Sequence, residues 1–386
     1  MKVIKYIIFL LMLIPLQVSA QFYVTGDDPG KIKWSYIESD HFRIIYPNGA
    51  DSLAKVYGTD LEKYRTPLSR TSGYLASGGF GKKMPVVMHA YNGANGSVAW
   101  APKRMDLFTL PTPYDPDPIP WNKELAIHEG RHVTQMQFGM TRAMKPGNWF
   151  FGEMWNIAVT LLYPRIMFME GDAVLAETAY TPSGRGRRAD FLNYYRVAFE
   201  QGYYRKWAQW LCPSQKNYSP TYYALGYMGL GGLRYLYDCP DIMYKGMDMA
   251  ARRPYNLEAF NYAIKKETGI RFKDAFTQVC DTLTRIWKSD SDSRAPFIPS
   301  EPVSSEPRLY TDYKSGVFVG NDLYLVKSGH LTTPVLVKID PFKKESKVSR
   351  FASTRSTLKT DDSGKIYWSE EKVDPRWSLK SKSQIR

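Results

Sequence analysis

An α+β fold is what the order of patterns along this chain predicts, on three observations. Two-residue alternation marks short strands between His41 and Pro111, a helical period replaces it from Asn122 to Lys288, and alternation returns beyond a Ser/Pro-rich stretch. Strands first and helices after them is the α+β arrangement: a small N-terminal sheet, a mostly helical body, then further short strands.

The first twenty residues, MKVIKYIIFLLMLIPLQVSA, stand apart from that fold. Lys2 and Lys5 give a positive start, Ile7 to Pro15 an apolar middle, and Val18-Ser19-Ala20 a small-residue exit. That layout is a secretory signal peptide cut before Gln21, so the mature chain is expected to be exported, periplasmic or extracellular. No later run approaches the ~20 apolar residues of a membrane-spanning helix, so no integral span is expected once the signal is removed. No cysteine near the cut offers a lipid anchor.

HFRIIYP (His41 to Pro47) alternates like a strand ending at a proline, and a helix follows from Asp51 to about Arg65, stopping before Pro67. KMPVVMHAY (Lys83 to Tyr91) and GSVAWAPKRMDLFTLP (Gly96 to Pro111) read as strands separated by the turn-forming NGANG. Helices are expected over Lys123–Gly139, Asn148–Leu162, Ile166–Thr178, Arg188–Lys206, Thr221–Tyr237, Leu257–Glu267 and Phe272–Lys288. The Ser/Pro-rich Ser289 to Pro307 reads as a linker. Residues 308–386 then hold short strands in an amount that makes roughly two propeller blades at ~40–45 residues each, where closure needs at least ~4. An incomplete propeller, from a truncated chain, is the expectation. The divisions are thus a signal over 1–20, one domain over 21–288, a linker over 289–307 and a β-rich region over 308–386.

Hydrophobic content of 44% with 15% aromatics suffices for a packed core and excludes global disorder. The net charge of +14, or +12 without Lys2 and Lys5, lacks the clustered basic and aromatic pattern of nucleic-acid binders, so no nucleic-acid partner is expected. Cys212, Cys239 and Cys280 allow one disulfide at most.

The chemistry concentrates in ELAIHEGRHVTQ, Glu124 to Gln135. On a helix, His128 and His132 lie one turn apart on one face, and both imidazoles can reach one cation. Glu129 follows directly, placed to accept a proton from water beside that cation rather than to bind it. Two imidazoles and one anionic ligand suit Zn2+, whose tetrahedral preference leaves a position open. Leu125, Ala126, Val133 and Met136 mark the helix as buried, where unpaired imidazoles and a carboxylate would be costly. The third ligand has to come from another helix. RIMFMEGDAVLAETAY (Arg165 to Tyr180) offers Glu170 inside an apolar run, with the small Gly171 and Ala173 allowing close approach to the first helix. Glu177, seven residues on, shares that face and can hydrogen-bond a ligating histidine. His41, His89 and His330 are isolated and read as structural.

HEGRH followed 38 residues after His132 by EGDAVLAET resembles the gluzincin zinc metallopeptidases. With GRGRR downstream, it is similar to the zincin-like domain that precedes TolB-like β-propellers in exported bacterial proteins. The resemblance, covering roughly Phe42 to Trp287, implies that His128, His132 and Glu170 bind zinc and that Glu129 is the general base. YYALGYMGL (Tyr222 to Leu230) resembles the family's Tyr-x-x-Gly, which implies Tyr223 as an oxyanion donor, with Gly226 completing the spacing. Asp172 departs from the apolar residue common after Glu-Gly, and no motif for gripping a free N-terminus is evident. The expected function is hydrolysis of peptide bonds in a peptide or protein substrate. The alternative is a non-catalytic exported scaffold whose β-rich region engages a cell-envelope partner. The strand preceding the zinc helix is a candidate edge for pairing with an extended peptide.

Overall fold

The computed structural model describes residues 28–79, 81–90, 96–99, 102–111, 118–203, 206–351, 357–376 and 381–386. The expected signal peptide and most of the NGANG turn lie outside them. The protein is an α+β fold. Its first part comprises β1 (Trp34–Glu38), β2 (Phe42–Pro47), α1 (Asp51–Ser69), β3 (Met84–His89), β4 (Ser97–Ala99) and β5 (Arg104–Phe108). They form one sheet in the order β1-β2-β3-β5-β4, with β2, β3 and β5 parallel and both edge strands antiparallel to their neighbours. The alternation of Phe42, Ile44 and Tyr46 and of Met84, Val86 and Met88 buries one face of the sheet against helices.

Two details here depart from the sequence expectation. β1 was not anticipated: WSYIE shows half-exposed and exposed residues in turn, so no buried run announces it. α1 continues through Pro67 to Ser69. The Tyr180 hydroxyl donates to the Pro67 carbonyl at 2.6 Å and the Arg131 guanidinium donates to that of Leu68, so tertiary donors serve carbonyls in the helix's last turn.

The helical body comprises α2 (Trp121–Met136), α3 (Lys145–Phe151), α4 (Glu153–Leu162), α5 (Arg165–Tyr180), α6 (Asn193–Glu200), α7 (Trp207–Leu211), α8 (Tyr222–Tyr237), α9 (Ile242–Arg252), α10 (Ala259–Thr268) and α11 (Phe272–Ser293). α2 is buried on every side from Glu124 to Met136. Leu125, Ala126 and Val133 pack into the sheet core, while Met136 belongs to the helical core. This helix therefore sits between the two layers and, among the described residues, is the element whose buried side chains enter both cores.

The expected helix over Asn148–Leu162 is two helices, because Gly152 adopts φ +62°, a conformation that L side chains avoid. The helix expected from Arg188 starts only at Asn193, since Arg188 folds back onto Asp190 at 2.7 Å and holds a turn. α9 was missed altogether. α11 runs into the stretch read as linker: Arg196 pairs with Asp290 at 2.7 Å and Asp290 with Arg294 at 2.8 Å, holding a polar last turn onto the body.

Beyond it, β6 (Thr311–Val319), β7 (Asp322–Gly329), β8 (Val335–Ile339) and β9 (Glu345–Arg350) form an antiparallel sheet in sequential order. β10 (Lys359–Thr360) pairs with β11 (Ile366–Tyr367), and β12 (Ser369–Val373) with β13 (Ser381–Ile385). Among the described residues these strands close no barrel and no propeller. No disulfide forms: Cys212, Cys239 and Cys280 are all free. No described helix is long and apolar enough to cross a membrane.

Candidate metal centre

His128 and His132 face one way from α2, their ring centroids 4.7 Å apart. Glu170 enters from α5. His128 Nε2, His132 Nε2 and Glu170 Oε2 form a triangle with all three sides 3.1 Å. A tetrahedral ion with bonds of about 2.0–2.1 Å holds its ligands about 3.3 Å apart, so this triangle has the size of one face of such a site. Two ligands spaced one helical turn apart and a third from a neighbouring helix are brought together as a group that can hold a metal.

The outer contacts fix which atoms face the centre. His128 Nδ1 lies 2.5 Å from Glu177 Oε1, and a carboxylate only accepts, so Nδ1 carries the proton. Arg185 Nη2 also approaches Nδ1, at 2.8 Å, but it is a donor and spends its hydrogens on Glu177, which it grips with Nε at 2.8 Å and Nη2 at 2.5 Å. His132 Nδ1 donates to Gln135 Oε1 at 2.8 Å. The amide of Gln135 is oriented in turn, because its nitrogen donates to the Met169 carbonyl at 3.0 Å and to Asp172 at 2.7 Å. With both Nδ1 atoms protonated, both neutral rings aim Nε2 lone pairs at the Glu170 oxygen. Three electron-rich atoms at 3.1 Å repel one another unless a positive charge lies between them.

With no metal bound, protons on the imidazoles supply that positive charge. Burial opposes charge on His128, yet hydrogen bonds that its ring donates to Glu170 and Glu177 outweigh it and push its pKa up to about 10. His132 is raised too, against burial, by Glu170. Glu170 is held far below the carboxylate range despite burial by the two imidazoles.

Glu129 does not join the triangle. It is buried, its Oε2 has no hydrogen-bond partner, and burial raises its pKa. Gly96, at the start of β4, lies so close that a Cβ there would come within 2.7 Å of Glu129 Cγ. Tyr223 lies at the start of α8, its ring stacked on His128 at 6.3 Å and under the Arg185 guanidinium at 5.3 Å. Burial and Glu170 push its pKa well above the usual phenol value, keeping the hydroxyl protonated. Glu129, Tyr223 and the three triangle residues line a cleft of about 430 Å³. Gly96, Ser97 and Val98 form one wall and Ile157, Leu161, Ile166 and Met169 another.

Gly171 plays a different part from the one its sequence suggested. It meets α8, not α2: a Cβ there would sit 2.1 Å from the Gly226 backbone, and one on Gly226 would sit 1.8 Å from the Met167 carbonyl. The glycine of Tyr-x-x-Gly thus lets α8 touch α5 and sets Tyr223 one turn away beside the triangle. α2 and α5 are tied instead by Asp172, which is fully buried and accepts from Arg131 at 2.7 and 3.0 Å, from Gln135 and from Arg234 at 2.6 Å. Sequence reading missed Gln135, Asp172 and Arg185 as site residues. Gln135, three residues after His132, carried the one local signal. His41 binds Glu62, and His89 sits between Asp28 and Asp106, all away from the cleft. No protein-family model matches the chain, and no curated protein matches it either.

Proposed function

We propose that the chain is an exported zinc metallopeptidase with a gluzincin-type, zincin-like domain over residues 21–288. The observation that carries this reading is the convergence of His128 Nε2, His132 Nε2 and Glu170 Oε2 at 3.1 Å, with both imidazole tautomers fixed from behind. Zinc suits the donor set, two nitrogens and one carboxylate oxygen, and when bound it supplies Lewis acidity that polarises a carbonyl and lowers the pKa of water to about 7. His128, His132 and Glu170 would hold it.

The remaining steps belong to the chain's own groups. Glu129, buried and with one unpaired oxygen, takes a proton from the attacking water and hands it to the departing amine. Its raised pKa suits a group that must hold the proton between those two events. Tyr223, kept protonated, donates its hydroxyl hydrogen to the oxyanion that develops on the carbonyl. Peptide substrate enters extended along β4, an edge of the sheet whose first residues border the cleft. The β-rich residues 308–386, read as an incomplete propeller of TolB-like kind, are the surface for a cell-envelope partner.

The test is hydrolysis of a mixed peptide library by zinc-replete protein. Cleavage that stops with chelator and with Glu129→Gln is expected. Cleavage undiminished by Glu129→Gln removes the base assignment, and no cleavage of any peptide by zinc-replete protein removes the peptidase reading.

A further inference from the structure

Seventeen residues from Asn148 to Pro164 contain one charged side chain, Glu153, and that carboxylate is turned inward to accept from the Lys103 amide at 2.7 Å. The rest of the stretch presents an apolar face to the outside. Trp149 is 84% exposed and Phe150 74% at the end of α3. On α4, residues 155, 158 and 162 recur with helical spacing on one face, and the exposed Phe151, at the end of α3, stacks on Trp155 at 6.2 Å. Leu161, 57% exposed, and Ile166, 48% exposed, continue that face across the α4–α5 turn. Among the described residues nothing covers it. Large exposed aromatics in a contiguous patch mark an interaction surface rather than scattered surface apolar residues.

We propose that this face docks on a lipid bilayer bearing anionic headgroups. Lys145 stands before the patch and Arg165 after it, both exposed, and among the described residues neither has an ion-pair partner. An apolar helical face with tryptophan and phenylalanine at one end and free cations at its borders is the composition of a segment lying in the headgroup–acyl boundary. The net charge of +12 that remains without Lys2 and Lys5 adds long-range attraction to an anionic surface. An anionic lipid surface supplies a counter-charge to both flanking cations at once while its acyl boundary takes up the apolar face between them. The patch also borders the cleft, since Leu161 and Ile166 line both, so docking sets the rim of the cleft beside the lipid.

The test is flotation of the chain from Gln21 onward with vesicles of phosphatidylcholine alone and of phosphatidylcholine mixed with phosphatidylglycerol. Binding stronger on the anionic vesicles and weakened by salt is expected. Trp149→Ser with Phe150→Ser, both exposed and so tolerated by the fold, reduces binding to both vesicles at least tenfold. Lys145→Gln with Arg165→Gln lowers binding to the anionic vesicles only. Glu129→Gln floats like the wild type, so docking and hydrolysis fail separately. Absence of flotation on the anionic vesicles overturns the proposal, as does equal flotation on both. So does flotation unchanged by the Trp149/Phe150 pair, or self-association in sedimentation that the same pair abolishes without any vesicle binding.

Discussion

Glu129 owes its usefulness to what it lacks. Glu170 gives its Oε2 to both imidazoles and Glu177 gives its oxygens to His128 and Arg185, while Glu129 Oε2 is buried at the cleft with no hydrogen-bond partner. Glu129→Gln is therefore expected to keep the metal and lose about 10²–10⁴ in kcat, measured on any peptide the wild type cleaves. Tyr223→Phe deletes a donor needed only as the oxyanion forms, so kcat falls by about 10²-fold with KM little changed. Glu177→Gln loosens the imidazole of His128 without removing a ligand, and zinc affinity measured by competition with a chelator falls by about 10–100-fold. At this scale the sequence was informative where spacing is local. His128, Glu129 and His132 lie in five consecutive residues, and one face of α5 links Glu170 to Glu177. Arg185 was opaque because it returns to Glu177 only after the chain turns past Thr181, and nothing local marks that return.

Between elements, the decisive contacts are two. Gly171 against Gly226 joins α5 to α8 with no room for a side chain, and the Arg131–Asp172–Arg234 cluster joins α2, α5 and α8 with charges. Gly226→Ala forces Met167 aside and is expected to cost about 1–3 kcal/mol, read as a lower urea midpoint at unchanged m-value. The two guanidiniums beside Asp172 overcome burial and lower its pKa from 3.8 to about 2, so the folded state favours the charged form. The stability it supplies, about 2 kcal/mol, is present above pH ~4 and is lost as pH falls toward 2; Asp172→Asn removes that slope from the acid-unfolding curve. The helices that sequence reading placed best, such as α8 and α5, carry long apolar runs. α9 escaped because KGMDMAARR mixes charge and glycine with its Met-rich face, and Gly246 is there because a Cβ would come within 2.3 Å of the Phe260 ring. The close approach at Gly171 was anticipated but its partner was not, since a small residue says that something comes near without saying what.

For the whole molecule, the order of patterns was enough for the α+β class. It was not enough for the way α2 is enclosed. Thirteen successive buried residues on that helix mean that a sheet lies on one side and a helical layer on the other, and this enclosure removes water from the imidazoles and carboxylates. Enclosure is what makes the triangle consequential: the same groups on an exposed helix would be hydrated and would need no cation between them. The β-rich residues after α11 pack cores of their own, Leu325 with Val335, Val337 and Ile339 on one face and Leu336 with Phe351 and Leu358 on the other. Their alternation made the strands legible, but period-two patterning alone does not say how many sheets a run of strands will form.

The central claim is that two imidazoles from α2 and one carboxylate from α5 hold a divalent metal. Atomic emission on purified protein tests it directly, comparing the wild type with Glu129→Gln, His132→Ala and Glu170→Ala. The account predicts one zinc per chain in the first two proteins and none in the last two. Wild-type zinc content in either His132→Ala or Glu170→Ala would contradict it.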